Sequence, residues 1–329
     1  MSRLAGLTPA ETRPLSPSLL GHLQMMRADH WVKNVFVLPG ILVALMFDPS
    51  RATLGLVVAV VLGLVATCLV TSSNYVLNEV LDAPFDRLHP TKQHRPVPSG
   101  RVSIPLAYAQ WLALGITGVG VAGLVSAPLA FVMGALWVMG LVYNVPPIRS
   151  KDLPYVDVLS EAVNNPLRML AGWFMVNPTG LLPGSLLVSY WMVGAYFMAI
   201  KRWAELRHFA DARQAAGYRK SFAFYSEERL LVSITFYGSA AMLFLGAFIM
   251  RYRLELILAF PLVALVMAVY LSLAFKHDSA AQSPEKLIRE PALMAAVIVC
   301  SAVIAILLFV DLPFLFKIFA PTAPIQHLR

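Results

Sequence analysis

Asn78-Glu79-Val80-Leu81-Asp82-Ala83-Pro84-Phe85-Asp86 places three acids and an amide directly after a long apolar run. Asn78, Asp82 and Asp86 recur every four residues, so a helix carried through them sets all three along one side of its end. Carboxylate and amide oxygens suit a hard cation such as Mg²⁺, which keeps waters and substrate phosphates as its other ligands. The bases that follow, Arg87, His89, Lys92, His94 and Arg95, can contact phosphate oxygens. The grouping therefore offers either a Mg²⁺–diphosphate site or a solvated loop of salt bridges, each worth about 0–1 kcal/mol.

A second polar group interrupts the apolar stretch PYVDVLSEAVNNPLRMLAGW: Asp157, Glu161, Asn164, Asn165 and Arg168. Their three-to-four spacing puts them on one helix face. A charge at a bilayer centre costs roughly 2.5–3.5 kcal/mol on insertion scales, so this face belongs inside a cavity. It is either a polar wall for a substrate head group or a structural Glu161–Arg168 pair. A third group, KRWAELRHFADARQAAGYRKSFAFYSEERLL, brings Lys201, Arg202, Glu205, Arg219 and Lys220 together, and could equally be a solvated helix.

These groups need elements to position them. The chain is 58% hydrophobic and 13% charged, where a soluble domain has about 25% charged residues, so it falls in the membrane class. Apolar runs near 31–48, 54–77, 105–125, 127–145, 155–178, 181–200, 230–250, 254–275 and 291–316 are each near the roughly 20 residues that cross a bilayer as helix. The expectation is an all-α membrane protein with nine transmembrane helices around a central cavity. Residues 1–30 form a cytoplasmic segment, 31–316 one transmembrane domain and 317–329 a short tail.

Orientation follows from the bases. Of 26 Lys and Arg, only Arg51, Arg251, Arg253, Lys317 and Arg329 fall in the alternate loops or the carboxyl terminus, and Arg168 lies within a span. The amino terminus and every chemically rich loop are then cytoplasmic, with the cavity open to that side. The net charge of +8 is mostly this topology signal, with attraction for anionic lipid or a phosphorylated substrate and none required for nucleic acid. The first 30 residues contain no uninterrupted apolar core, so no cleaved signal peptide is expected. Cys68 and Cys300 lie in apolar runs, which sets aside disulfides and cysteine-rich metal sites.

The stretch 78–86 resembles the NDxxDxxxD signature of the UbiA superfamily of intramembrane prenyltransferases, with Glu79 in place of the first Asp. RADHWVKNVFVLPG at 27–40 and YNVPPIRSKD at 143–152 are similar to that family as well, and the resemblance extends over most of the chain. It implies nine helices, a Mg²⁺ cofactor held by Asn78, Glu79, Asp82 and Asp86, and a diphosphate bound through it. It also places Lys33 and Asn34 at the cavity mouth and Arg149 and Lys151 near the phosphates. The family's second motif, DxxxD, is missing between the sixth and seventh spans.

In its place KRWAEL and YRKSFAFY, together with DRLHPTKQHRP at 86–96, resemble the branch that transfers phosphoribose to decaprenyl phosphate. That likeness implies Asp86, Arg87, His89, Lys92 and Arg95 beside the donor. YNVPPIRSKD is closer to aromatic prenyltransferases, and EAVNNPLRMLAGW matches neither pattern closely. The first expectation is phosphoribosyl transfer from phosphoribosyl pyrophosphate to a polyprenyl phosphate, with Asp82, Asp86, Lys201 and Glu205 carrying the chemistry. Arg202, Arg219 and Lys220 hold the anions, and Asp157, Glu161 and Arg168 line the wall. The alternatives are prenyl transfer from a polyprenyl diphosphate to an aromatic or quinone-precursor acceptor, and transport of an anionic metabolite. A bacterial inner membrane is the expected location, and no oligomeric state follows from the sequence.

Overall fold

The computed structural model of the 329-residue chain describes residues 16–87, 92–207, 217, 219–276, 279–282 and 287–319. His89 and residues 208–216 lie outside them. Every regular element among the described residues is helical. Six stretches are long and apolar enough to cross a membrane: Leu19–Phe47, Leu54–Asp86, Ile104–Val125, Ala127–Asn144, Glu227–Tyr252 and Leu254–Ala274. Large apolar side chains such as Leu54, Phe131, Leu181 and Leu243 point outward, the surface a hydrocarbon solvent accepts.

The α-helices are α1 Leu19–Met25, α2 Leu38–Phe47, α3 Leu54–Asp86, α4 Ile104–Val125, α5 Ala127–Asn144 and α6 Val156–Ala162. They continue as α7 Asn164–Val176, α8 Gly184–Leu206, α9 Glu227–Tyr252, α10 Phe260–Ala274, α11 Pro291–Leu307 and α12 Pro313–Ile318. Their starts follow ordinary capping chemistry. Ser126 accepts from Leu129 N–H at the head of α5, and Ser226 from Arg229 N–H at the head of α9. Glu227 and Glu228 in the first turn of α9 add a favourable helix-dipole term.

α3 has 33 residues, which at 1.5 Å per residue is about 50 Å. Since the hydrocarbon core is about 30 Å thick, its last turns stand clear of the lipid. Asn78, Asp82 and Asp86 occupy those turns. The stretch 155–178, read from sequence as one helix, is instead broken between α6 and α7 at Val163. Pro166 is the physical cause: it has no N–H for the Ala162 carbonyl, and its ring crowds that oxygen.

α2 and α7 cross almost backbone to backbone. A Cβ on Gly172 would fall inside the van der Waals envelope of the Val37 carbonyl, and one on Gly40 inside that of Met169, the close approach small residues allow in membranes. One apolar core gathers Ala66, Val70, Leu129, Leu136, Met169 and Trp173. A second gathers Ala199, Ile200, Trp203, Leu230, Tyr237 and Tyr270, and a polar cavity opens between them.

The segment before residue 30 makes contact with the helices. Ser18 N–H donates to Arg101 O at 3.0 Å, and the His22 ring meets Gln110 Oε1 at 3.0 Å. α1 is thus packed onto the start of α4.

Candidate active site

α3, α5, the α6–α7 pair and α8 wall a cavity of about 230 Å³, and the connecting segments that carry Arg27, Lys92 with Arg95, Lys151 and Arg219 complete its lining. Asn78 and Asp82 face it from α3. Asp82 Oδ1 accepts from Lys151 Nζ at 2.5 Å and Arg149 Nη2 at 3.1 Å, while its Oδ2 accepts from Asn78 Nδ2 at 3.0 Å. The same Asn78 nitrogen donates to Asn144 Oδ1 at 2.6 Å, and Lys151 Nζ donates to that oxygen at 2.8 Å. Asn144 thereby ties the end of α5 to the acid on α3. Burial pushes the Lys151 ammonium down to about 8, against the pull of Asp82.

Glu79 and Asp86 are placed differently. Glu79 is buried and accepts from Val97 N–H at 3.0 Å, and Asp86 accepts from Arg95 Nη1 at 2.6 Å. Neither lines the cavity. Residues four apart on a 3.6-residue helix drift by about 40° at each step, so Asp86 stands about 80° from Asn78. Glu79, seven residues before Asp86, shares its face instead. That face anchors the segment 92–99, which returns Lys92 and Arg95 to the cavity.

On the opposite wall Glu161, Asn164 and Arg168 face the cavity, whereas Asp157 does not. Arg168 Nε donates to Asn34 Oδ1 at 3.1 Å and its Nη1 to the Asn164 carbonyl at 3.3 Å. Asn34 therefore lies behind Arg168, and Lys33 stands over the Tyr75 ring at 6.0 Å. The structural Glu161–Arg168 pair is not formed, because the chain breaks between them and Asn34 takes the guanidinium.

Asp157 is fully buried. It accepts from Tyr225 Oη at 2.5 Å, Arg202 Nε at 3.0 Å and Ser221 Oγ at 3.3 Å, with Arg219 Nη1 at 3.8 Å. Its position is beneath the wall, where it fixes two cations that reach the site. Arg202 also meets Glu205 Oε2 at 3.0 Å and Tyr143 Oη at 3.3 Å, and Lys201 lies 3.9 Å from Glu205. Lys220 points outward to Asp152 at 3.3 Å, and Arg87 is exposed. Both stand apart from the cavity, contrary to the sequence expectation.

Eight cations line the space, Arg27, Lys92, Arg95, Lys151, Arg168, Lys201, Arg202 and Arg219, against three carboxylates, Asp82, Glu161 and Glu205. An excess of this size in a low-dielectric enclosure favours a polyanionic occupant. No group of three or more His, Cys, Asp and Glu converges as a metal cage among the described residues. Asn78 and Asp82 do fit a Mg²⁺ that brings most of its oxygens from a diphosphate and water. The Asp82 side chain is 23% exposed, and a diphosphate could take over its Lys151 and Arg149 partners.

The sequence model of the UbiA prenyltransferase family matches residues 35–297. The chain belongs to the UbiA prenyltransferase family. Within it, the chain is 33% identical over 236 residues to the decaprenyl-phosphate phosphoribosyltransferase of Mycobacterium tuberculosis, covering 71% of this chain and 76% of that one. The enzyme of the same name from Corynebacterium glutamicum is 30% identical over 216 residues, 63% of this chain and 60% of that one. The fold matches a UbiA homolog from Archaeoglobus fulgidus solved with DMAPP and Mg²⁺, at a TM-score of 0.68 and 20% identity, covering 89% of this chain and all of that one. The chain is thus an integral membrane protein of a transferase family, as its motifs suggested.

Several cavity residues were not singled out in the sequence. Tyr143 and Asn144 head the YNVPPIRSKD motif, so the signal was present in a stretch from which only Arg149 and Lys151 were assigned to the site. Asn74 extends the spacing of Asn78 and Asp82 by one turn, and its Nδ2 donates to Leu136 O at 2.9 Å. Arg27 was counted as a topology charge, but its left-handed backbone (φ 52°) turns the chain at the cavity edge.

Proposed function

We propose that this UbiA-family protein transfers a phosphoribosyl group from phosphoribosyl pyrophosphate to a polyprenyl phosphate. The observation that carries the reading is the surplus of eight cations over three carboxylates around one cavity. Prenyl transfer to an aromatic acceptor needs one diphosphate neutralised. Phosphoribosyl transfer brings a pyrophosphate, a 5-phosphate and a lipid phosphate together, and their mutual repulsion must be offset. The named relatives from Mycobacterium tuberculosis and Corynebacterium glutamicum support the same choice.

In this reading Lys151 and Arg149 bind the pyrophosphate beside Asp82 and Asn78. Mg²⁺, held there with the donor, neutralises charge on the leaving group. The ribose C1–O bond breaks with its electron pair going to pyrophosphate, and an oxygen of the lipid phosphate forms the new bond to C1. Arg202, Arg219 and Lys201 hold the 5-phosphate and the incoming phosphate, with Glu205 fixing Lys201 and Arg202. Asp157 keeps Arg202 and Arg219 aimed at the cavity. Asp86 and Glu79 secure the segment that carries Arg95 and Lys92, and His89 falls outside the described residues. Nine spans, a cytoplasmic mouth and an inner-membrane location complete the proposal, and the base distribution supports that orientation.

Prenyl transfer is the second reading, favoured by the position of Tyr143, Asn144 and Lys151, from the motif resembling aromatic prenyltransferases, at the cavity wall. The deciding experiment incubates purified protein and Mg²⁺ with labelled phosphoribosyl pyrophosphate plus polyprenyl phosphate, and separately with polyprenyl diphosphate plus aromatic acids. Ribose label in the lipid fraction is the expected outcome. Acceptor alkylation with no ribose transfer would replace the first reading by the second, and inactivity in both arms would return attention to transport.

A further inference from the structure

Glu161 is the odd carboxylate of this cavity. Asp82, Asp86, Asp157, Glu79 and Glu205 each have a hydrogen-bonding or ionic partner. Glu161 faces the cavity, and its carboxylate has no hydrogen bond or ion pair among the described residues. The neighbouring base that could have paired with it, Arg168, is held instead by Asn34 and by the Asn164 carbonyl. One turn beyond Glu161, Asn164 Oδ1 is buried with no donor. The wall thus presents one carboxylate without a donor, backed by a buried amide oxygen that also lacks one, inside a space otherwise rich in cations.

A phosphate is repelled by such acceptors, and an allylic chain has no N–H or O–H to give them. A hydroxylated carbon skeleton has both the donors and the neutrality required, because leaving a buried acceptor unpaired is costly while pairing it with a hydroxyl is favourable. We propose that Glu161, seconded by Asn164, accepts hydrogen bonds from the hydroxyls of a sugar-bearing donor and makes the cavity selective for that class over allylic diphosphates. The inference rests on the phosphoribosyl reading for the identity of the sugar. It assigns Glu161 to donor selection, whereas Asp82, Lys151 and Arg149 bind the diphosphate that both donor classes share.

The test is direct binding, so that it does not depend on turnover. Titration calorimetry on the full-length detergent-solubilised protein in Mg²⁺ compares phosphoribosyl pyrophosphate, its 2-deoxy and 3-deoxy analogues and inorganic pyrophosphate. For the unmutated protein, removal of at least one hydroxyl should weaken binding on the order of tenfold or more. Glu161→Ala should erase that difference while leaving pyrophosphate affinity within about twofold, which also reports that the site is folded. A hydroxyl preference that survives in Glu161→Ala, or one absent from the unmutated protein, overturns the proposal. So does a Glu161→Ala loss shared equally by pyrophosphate, which would make the residue a metal or electrostatic partner. Failure of the phosphoribosyl reading shows separately, as no ribose label in lipid from a protein that still binds the sugar donor through Glu161.

Discussion

Asp82 and Asp157 are both acids gripped by cations near the same cavity, and the chain uses them in opposite ways. Asp157 has no solvent exposure and satisfies Tyr225, Ser221 and Arg202 with Arg219 close by. Asp82 is 23% exposed, opens on the cavity and is matched by Lys151 and Arg149. In the proposed function these bases have somewhere better to go once a diphosphate arrives. In that reading burial, more than the presence of an ion pair, separates an acid that braces the wall from beneath from one that works at it. An exposed pair can be exchanged for a ligand, whereas an enclosed one cannot lose a member without leaving a buried charge alone.

The largest effect is expected where that exchange is blocked. Asp82→Ala should reduce transfer by about 10³-fold or more, the scale on which pre-organised charge stabilisation operates. The same variant should lose less melting temperature than Asp157→Asn, since Lys151 keeps Asn144 as an acceptor and Arg149 keeps Asp152. Initial rates and a thermal melt on one preparation check both halves. An active Asp82→Ala protein would remove the diphosphate site from α3.

The contrast between these two acids was only half legible in the sequence. Apolar runs marked the six long helices, and the 78–86 spacing marked the end of α3 that meets the cavity, because both depend on local periodicity. Four-residue spacing was read as one face, however, and the accumulated drift of a 3.6-residue turn carries Asp86 onto the loop side, where Glu79, about 100° round the helix from Asn78, already lies. Pro166 stood in plain view in the fifth span, but hydropathy records apolarity and not the missing N–H that splits α6 from α7. Asp157 and Glu161 looked equivalent because their spacing is that of one helix face. Which is enclosed depends on where Tyr225 and Arg202 arrive from more than forty residues away, and a local pattern carries no record of that. Asn144 and Tyr143 were missed for a related reason, since their value lies in the meeting of α5 with α3.

Asp157→Asn tests the structural side. The substitution removes the charge that balances Arg202 and offers an amide nitrogen where three donors converge, so a loss of about 3–5 kcal/mol is expected. Thermal melting should fall sharply and transfer should fall with it. Activity lost at an unchanged melting temperature would move Asp157 into the working set beside Asp82.

A smaller, more selective effect is expected at the base that Asp82 holds. Lys151→Ala should lower kcat/KM for the diphosphate donor by about 10²-fold, the scale seen when one charge-stabilising donor is removed. Because Arg149 still reaches Asp82 at 3.1 Å, activity should stay measurable. Steady-state kinetics against donor concentration decide it, and an unchanged kcat/KM would mean that Lys151 only props Asp82 and Asn144.

The smallest effects belong to cations that the sequence grouped with the site and the structure sets outside it. Lys220 is 72% exposed and paired with Asp152 at 3.3 Å, and Arg87 lies exposed at the end of α3. Exposed pairs contribute about 0–1 kcal/mol, so Lys220→Ala and Arg87→Ala should each leave melting almost unchanged and transfer within about threefold of the parent. Any residual loss should shrink at high salt, because an exposed charge acts on an anionic substrate only through a field that ions screen within about 10 Å at 0.1 M ionic strength. The loss caused by Lys151→Ala should persist under the same salt, since that ammonium is buried against its partners. A Lys220→Ala or Arg87→Ala defect as deep and as salt-resistant as that of Lys151→Ala would mean that the segment closes over the substrate and brings these side chains inside.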